Sequence, residues 1–197
     1  MKFYDDDDEE ETKQAGPDPL IARMLKTRNI LISGEINKDL AEKTIRQLLL
    51  LEDMENAPIR VFIDSPGGDA DAGYALFDMI RFVKPEVWTI GTGLVASAAA
   101  IVQLASPKER RIGLPNSHYL IHQPLSGIRG VATDIEIHAR ELEKLRAKIN
   151  RLISEETGVP VEQVEKDTDR DYWMNTEEAV QYGLISRVVT RRDELPF

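Results

Sequence analysis

Ser97 is a lone hydroxyl among residues too small to shield it, in the run Gly93-Leu94-Val95-Ala96-Ser97-Ala98-Ala99-Ala100. The run follows residues 87–92, which read as a buried strand, and opens an apolar segment reaching Ala105. A sharp turn from strand into helix lifts Oγ out and sets amide N–H groups against developing negative charge, which is how a nucleophilic serine is presented. Taken alone, the same serine would also serve as one more small residue for close helix packing. A serine nucleophile needs a base within reach and a third group to orient it. The chain has three histidines. His138 falls inside a long helical pattern, where a packing role is ordinary. His118 and His122 share a strand and, four residues apart, one side of it. His122 stands at the strand's end, before the turn-forming Gln123-Pro124-Leu125-Ser126-Gly127, where catalytic groups collect in α/β folds. His122 is the better base. Gly67-Gly68 could supply oxyanion donors, because no Cβ keeps a ligand from their amides, though a plain tight turn reads equally well. The orienting acid stays open, since Asp64, Asp69, Asp71, Asp78, Asp134, Asp167, Asp169 and Asp171 all qualify by spacing.

The elements that must position these groups alternate. Residues 29–34 and 59–64 are short apolar strands, the second ending in Ser65-Pro66-Gly67-Gly68. Between them Asn37 caps a helix whose stripe is Leu40, Ile45, Leu48, Leu49 and Leu51. A further helix spans about 70–83, and the third strand, 87–92, leads into the Ser97 turn. Three strand–helix units in succession predict right-handed crossovers and a largely parallel sheet covered by helices. Strands are expected at 110–114 and 118–122. Thr133-x-x-Glu136 reads as a capping box opening the longest helix, stopped by Gly158. Pro160 starts another helix at its first position. Tyr172-Trp173-Met174 is extended, Asn175 with Glu178 opens a short helix that Gly183 closes, and 184–189 is a last strand.

With 197 residues the chain is long enough for one substantial core and short for two. The formal charge of −10 argues against nucleic acid, which needs a basic surface. Cysteine is absent, so disulfides, thiolate catalysis and cysteine metal sites are excluded. Asp5 to Glu11 are seven consecutive acids, where a secretory signal would carry positive charge. With no apolar run long enough to span a bilayer, the expected compartment is the cytoplasm. Residues 1–18 are expected to form a flexible acidic arm ahead of a single domain over 19–197.

Ser65-Pro66-Gly67-Gly68, the small-residue turn at Ser97, Leu114-Pro115-Asn116-Ser117, Ile121-His122-Gln123-Pro124-Leu125 and Asp167-Thr168-Asp169-Arg170-Asp171 stand in one order. So do Ala132-Thr133-Asp134-Ile135-Glu136-Ile137-His138-Ala139-Arg140-Glu141 and Glu178-Ala179-Val180-x-Tyr182-Gly183-Leu184. Together, from about Leu20 to Thr190, they resemble the ClpP family, the proteolytic subunits of the Clp serine proteases. The resemblance implies an α/β fold of the crotonase/ClpP kind, with repeated β-β-α units and a protruding "handle" helix. It puts the nucleophile on Ser97, the general base on His122 and the orienting carboxylate on Asp171, with oxyanion donors at the amides of Gly68 and Ala98. Peptide would be held as an added strand between Gly68-Asp69-Ala70 and Leu125-Ser126-Gly127. The long helix would interlock two stacked seven-membered rings, and Asp169 and Arg170 would form an inter-ring contact. Partners implied are unfolded polypeptides, a hexameric ATPase of the ClpX or ClpA kind, and copies of this chain or a second ClpP paralogue. No cofactor or metal is expected.

Two departures from the family pattern stand out. The acidic arm occupies the place of an amphiphilic segment that lines the axial pore, and Ala98 follows the nucleophile where methionine is usual. The second implies a roomier primary pocket, suited to large apolar side chains. Other readings are a paralogue that mainly builds a mixed ring, a crotonase-like acyl-CoA enzyme, and a Ser–Lys signal peptidase. The filled triad positions favour the peptidase over the first two, and the lack of a matching lysine disfavours the last.

Overall fold

The computed structural model describes residues 19–195, so the arm expected over residues 1–18 lies outside the described residues. Five strands run parallel in the order β1 (Asn29–Ser33), β2 (Ile59–Ser65), β3 (Val87–Ala96), β4 (Arg111–Gly113) and β7 (Arg187–Val188). β5 (His118–Ile121) joins the far half of β3 in parallel, and β6 (Tyr172–Met174) pairs antiparallel with β5. The helices are α1 (Pro19–Lys26), α2 (Lys38–Met54), α3 (Ala70–Phe82), α4 (Ala98–Gln103), α5 (Ala132–Thr157), α6 (Val161–Asp167) and α7 (Thr176–Tyr182). None of the described helices is long and apolar enough to cross a membrane.

The expected alternation forms, with β1 and β2 fully buried on one face only: burial alternates along each strand, and Leu31 and Asp64 on the other face are exposed. Ile59, Val61 and Ile63 are fully buried, as are Leu48 and Leu51 of α2 and Leu76 of α3. Asn37 accepts from the Leu40 amide at 2.9 Å and starts α2 as expected. Asn175 and Glu178 form a reciprocal capping box for α7, and Gly158 and Gly183 end their helices in the left-handed conformation.

Four expectations are corrected. Leu49 is exposed, because the inward stripe of α2 is Ala41, Thr44, Leu48 and Leu51, and Leu49 sits a further 100° around the axis. Thr133 caps nothing: α5 begins behind Val131, so Thr133 is already inside the first turn. Pro160 is the cap of α6 rather than its first residue. The third strand does not stop at Thr92. It bends at Gly93 (φ +60°), exchanges β4 for β5 as neighbour, and runs on to Ala96. Asp64 holds the bend by accepting from the Leu94 amide at 3.0 Å, and a Cβ on Gly93 would lie 2.5 Å from that same carboxylate.

The long helix α5 has no buried residue before Ile149, so its first turns project from the sheet. Its last turn is tied down by charge. Glu156 accepts from both Arg81 and Arg111, and Arg111 is 1% exposed. Burial pulls the Arg111 guanidinium below its ordinary pKa, while Glu156 beside it opposes that shift. Glu156→Ala would strand a buried cation, and the expected cost is about 3 kcal/mol. A fall in melting temperature of roughly 10 °C should report it, whereas an unchanged value would show that Arg111 is satisfied by the Ser106 and Glu156 carbonyls alone.

Candidate active site

Ser97 stands between β3 and α4 with φ +56° and ψ −121°, a conformation that costs a non-glycine residue on the order of 1–3 kcal/mol. The strain is held from two sides. The Ser97 amide donates to Leu120 O of β5 at 2.9 Å, and its carbonyl accepts from the Ala100 amide at 2.9 Å. The loop after β2 lies directly against this turn. A Cβ on Gly67 would fall 2.6 Å from Ala96 O and 2.7 Å from Ser97 Cβ, so only glycine lets the two loops touch.

Gly68 is pinned by a different neighbour. The Ile36 amide donates to Gly67 O and the Asp69 amide to Ile36 O, both at 2.8 Å, which leaves Gly68 at φ +145° between them. The Gly68 and Ala98 amides donate no hydrogen bond among the described residues, and both residues line the cavity that Ser97 lines. Two unspent backbone donors beside a serine are the composition of an oxyanion hole. A Cβ on Gly68 would meet Ile36 O at 2.3 Å, so Gly68→Ala must move the loop. It should lower kcat by on the order of 10²–10³ with little change in KM. Steady-state peptide hydrolysis measures this, and an undiminished kcat would remove Gly68 from the site.

His122 is the first residue beyond β5. The antiparallel register runs Tyr119↔Met174, Leu120↔Trp173, Ile121↔Tyr172, and one more step along the ladder sets His122 opposite Asp171. Their Nδ1 and Oδ1 atoms are 2.9 Å apart. Among the described residues no other carboxylate bonds a histidine. The rival acids are engaged elsewhere: Asp64 at the β3 bend, Asp69 capping α3 through the Ala72 amide, and Asp169 accepting from Arg146 at 3.1 Å. Asp167 accepts from the Tyr182 hydroxyl at 3.0 Å, and burial together with Asp167 pushes that hydroxyl's pKa far up, so it stays a donor. The Gln123 amide donates to Thr168 O and its side chain to Asp169 O, each at 2.6 Å, which clasps the histidine segment to the aspartate segment.

Ser97 and His122 line one cavity of about 410 Å³, but Ser97 Oγ makes no hydrogen bond to the ring among the described residues. Such contacts are often long in free enzymes and tighten with substrate. The apolar wall of the cavity includes Ile101, Leu145, Ile149 and Ile153. The last three come from α5, and their spacing of four marks one helix face in the sequence without saying what that face meets. Asp69, Ala70 and Leu125 line the same cavity, while Ser126 lies off it and bonds His138. Asp169, Arg170 and Asp171 line a smaller hollow behind His122.

A family model described as Clp protease matches residues 13–192. The chain belongs to the Clp protease family. It is similar to the ATP-dependent Clp protease proteolytic subunit 2 of Treponema denticola, at 61% identity over all of this chain and 99% of that one. Proteolytic subunit 3 of Rhizobium meliloti is 51% identical over 96% of this chain and 98% of its own length. Among solved structures, a ClpP1 mutant from Listeria monocytogenes superposes with a TM-score of 0.83 at 48% identity, over 88% of this chain and 98% of that one. The fold is thus the ClpP fold, with its long helix, and the chain is a serine-type endopeptidase of the Clp kind.

Proposed function

We propose that Ser97, His122 and Asp171 form the catalytic triad of this Clp peptidase subunit. The observation that carries the reading is the 2.9 Å bond between His122 and Asp171 beside a cavity that Ser97 shares. His122 takes the Ser97 proton as Oγ attacks the peptide carbonyl, and the Gly68 and Ala98 amides receive the oxyanion. His122 then protonates the leaving amine, and water repeats the cycle on the acyl-enzyme. Asp171 keeps the ring in the tautomer whose Nε2 accepts and stabilises the imidazolium.

Substrate lies as an extended strand between Gly68-Asp69-Ala70 and Leu125-Ser126-Gly127, so recognition is mainly through backbone and cleavage is broadly tolerant. The apolar wall and the small Ala98 suit large apolar side chains at the primary position. The chain stacks as two heptameric rings in the cytoplasm, with α5 and the Asp169–Arg170 segment at the ring junction. Unfolded polypeptide is fed by a hexameric ATPase, in keeping with the ATP-dependent names of the relatives. Those names also carry subunit numbers, which favours a second reading in which this chain works in a ring mixed with a paralogue.

Fluorophosphonate labelling of the purified full chain, with Ser97→Ala as control and native mass alongside, tests both readings. Labelling that Ser97→Ala abolishes, in a fourteen-chain particle, supports the first. Labelling only after a paralogue is added supports the second. Equal labelling of wild type and Ser97→Ala would reject the nucleophile.

A further inference from the structure

The segment that follows His122 is held to the rest of the protein by very little. Residues 124–130 belong to no helix or strand, and among the described residues their backbone makes no hydrogen bond at all. Their one hydrogen bond is a side-chain contact: Ser126 Oγ lies 2.7 Å from Nε2 of His138, on the projecting part of α5. Leu125 is 82% exposed, so apolar burial does not fix the segment either. This is the stretch whose unpaired backbone the proposed peptide strand would join, and its position decides whether that strand is in register with Ser97.

We infer that His138 is a positioning residue for substrate: through Ser126 it sets where the peptide-pairing edge stands. The inference rests on the peptidase reading above and adds a specificity element to it. Either ring state can complete the bond, since deprotonated Nε2 accepts from the hydroxyl and protonated Nε2–H donates to its oxygen. The pair acts before chemistry. Losing it leaves Ser97, His122 and the oxyanion amides untouched but lets residues 124–130 drift, which weakens capture of peptides long enough to pair with them. Pro124 and Leu125 line the Ser97 cavity next to the clasped Gln123, so peptides too short to reach beyond them to Ser126 and Gly127 do not need that edge.

The test is steady-state hydrolysis by the full chain of an extended ten-residue peptide and of a short dipeptidyl fluorogenic substrate, with fluorophosphonate labelling in parallel. His138→Ala should raise KM for the long peptide about fivefold, the size of one lost hydrogen bond, with kcat within twofold. KM for the short substrate should hold. Ser126→Ala should raise KM for the long peptide to the same degree, and the double variant should add nothing further. His138→Gln, whose amide can reach where Nε2 stood, should restore the wild-type KM, whereas His138→Asn is too short and should not. Additive effects, an unchanged KM for the long peptide, or an equal loss on both substrates would overturn the inference while labelling persists. If the wild-type chain is not labelled at all, the peptidase reading fails and this inference falls with it.

Discussion

Ser97→Ala should lower kcat for peptide hydrolysis by about 10⁶-fold, and His122→Ala should cost nearly as much. The reason is that neither group is useful alone. Without the hydroxyl no acyl-enzyme forms, and without the ring the hydroxyl keeps its proton and the leaving amine is not protonated. The double variant should therefore be only slightly slower than either single one. What remains is the contribution of the two free amides and of substrate binding, roughly 10³–10⁴ over water. Ser97 and alanine carry the same Cβ in this strained turn and Ser97 makes no side-chain capping bond there, so the variant should keep the wild-type fold and melting temperature. Costs that multiplied in the double variant would mean that the two residues act independently, which the proposed mechanism forbids.

Asp171→Asn should lower kcat by about 10³-fold. A buried aspartate in this role is worth about 10⁴ when replaced by asparagine, mainly because the amide favours the wrong imidazole tautomer. Here the carboxylate is 60% exposed, so water and salt screen part of its attraction for the imidazolium, and the tautomer effect remains. The Asn variant should keep fluorophosphonate reactivity at a slower rate and should retain KM, because Asp171 does not line the substrate cavity. A loss below tenfold would show that the clasp of Gln123 on Thr168 and Asp169 orients His122 without help from the acid.

Much of the layered fold can be read along the chain. Apolar runs at 29–34 and 59–64, the Asn37 cap, the Asn175–Glu178 box and the stops at Gly158 and Gly183 are set by neighbours within a few residues, and each forms as expected. Where the local reading differs from the structure, the cause is in one case a distant partner and in the others a helix boundary or helix face that lies a residue or two away. Gly93 reads locally as the start of a turn, yet Asp64, which accepts from the Leu94 amide thirty residues on, holds it as a bend inside a longer strand. Thr133 and Glu136 match a capping pattern, yet the helix starts ahead of them.

The site divides along the same line. The amino-acid order alone determined the chemical types: a serine in an unshielded strand–helix turn, a histidine at a strand's end and a glycine pair free to expose amides. These are local, because backbone turns and glycine conformations depend on adjacent residues. Which of eight aspartates serves the histidine could not be read that way. Family resemblance pointed to Asp171, and only the antiparallel pairing of β5 with β6 brings it across 49 residues to within 2.9 Å of the ring. Likewise only the folded chain lays Leu145, Ile149 and Ile153 along the cavity and hangs Ser126 on His138. Strand register and helix packing are settled by the cooperative burial of many side chains at once, and no short stretch of sequence carries that information.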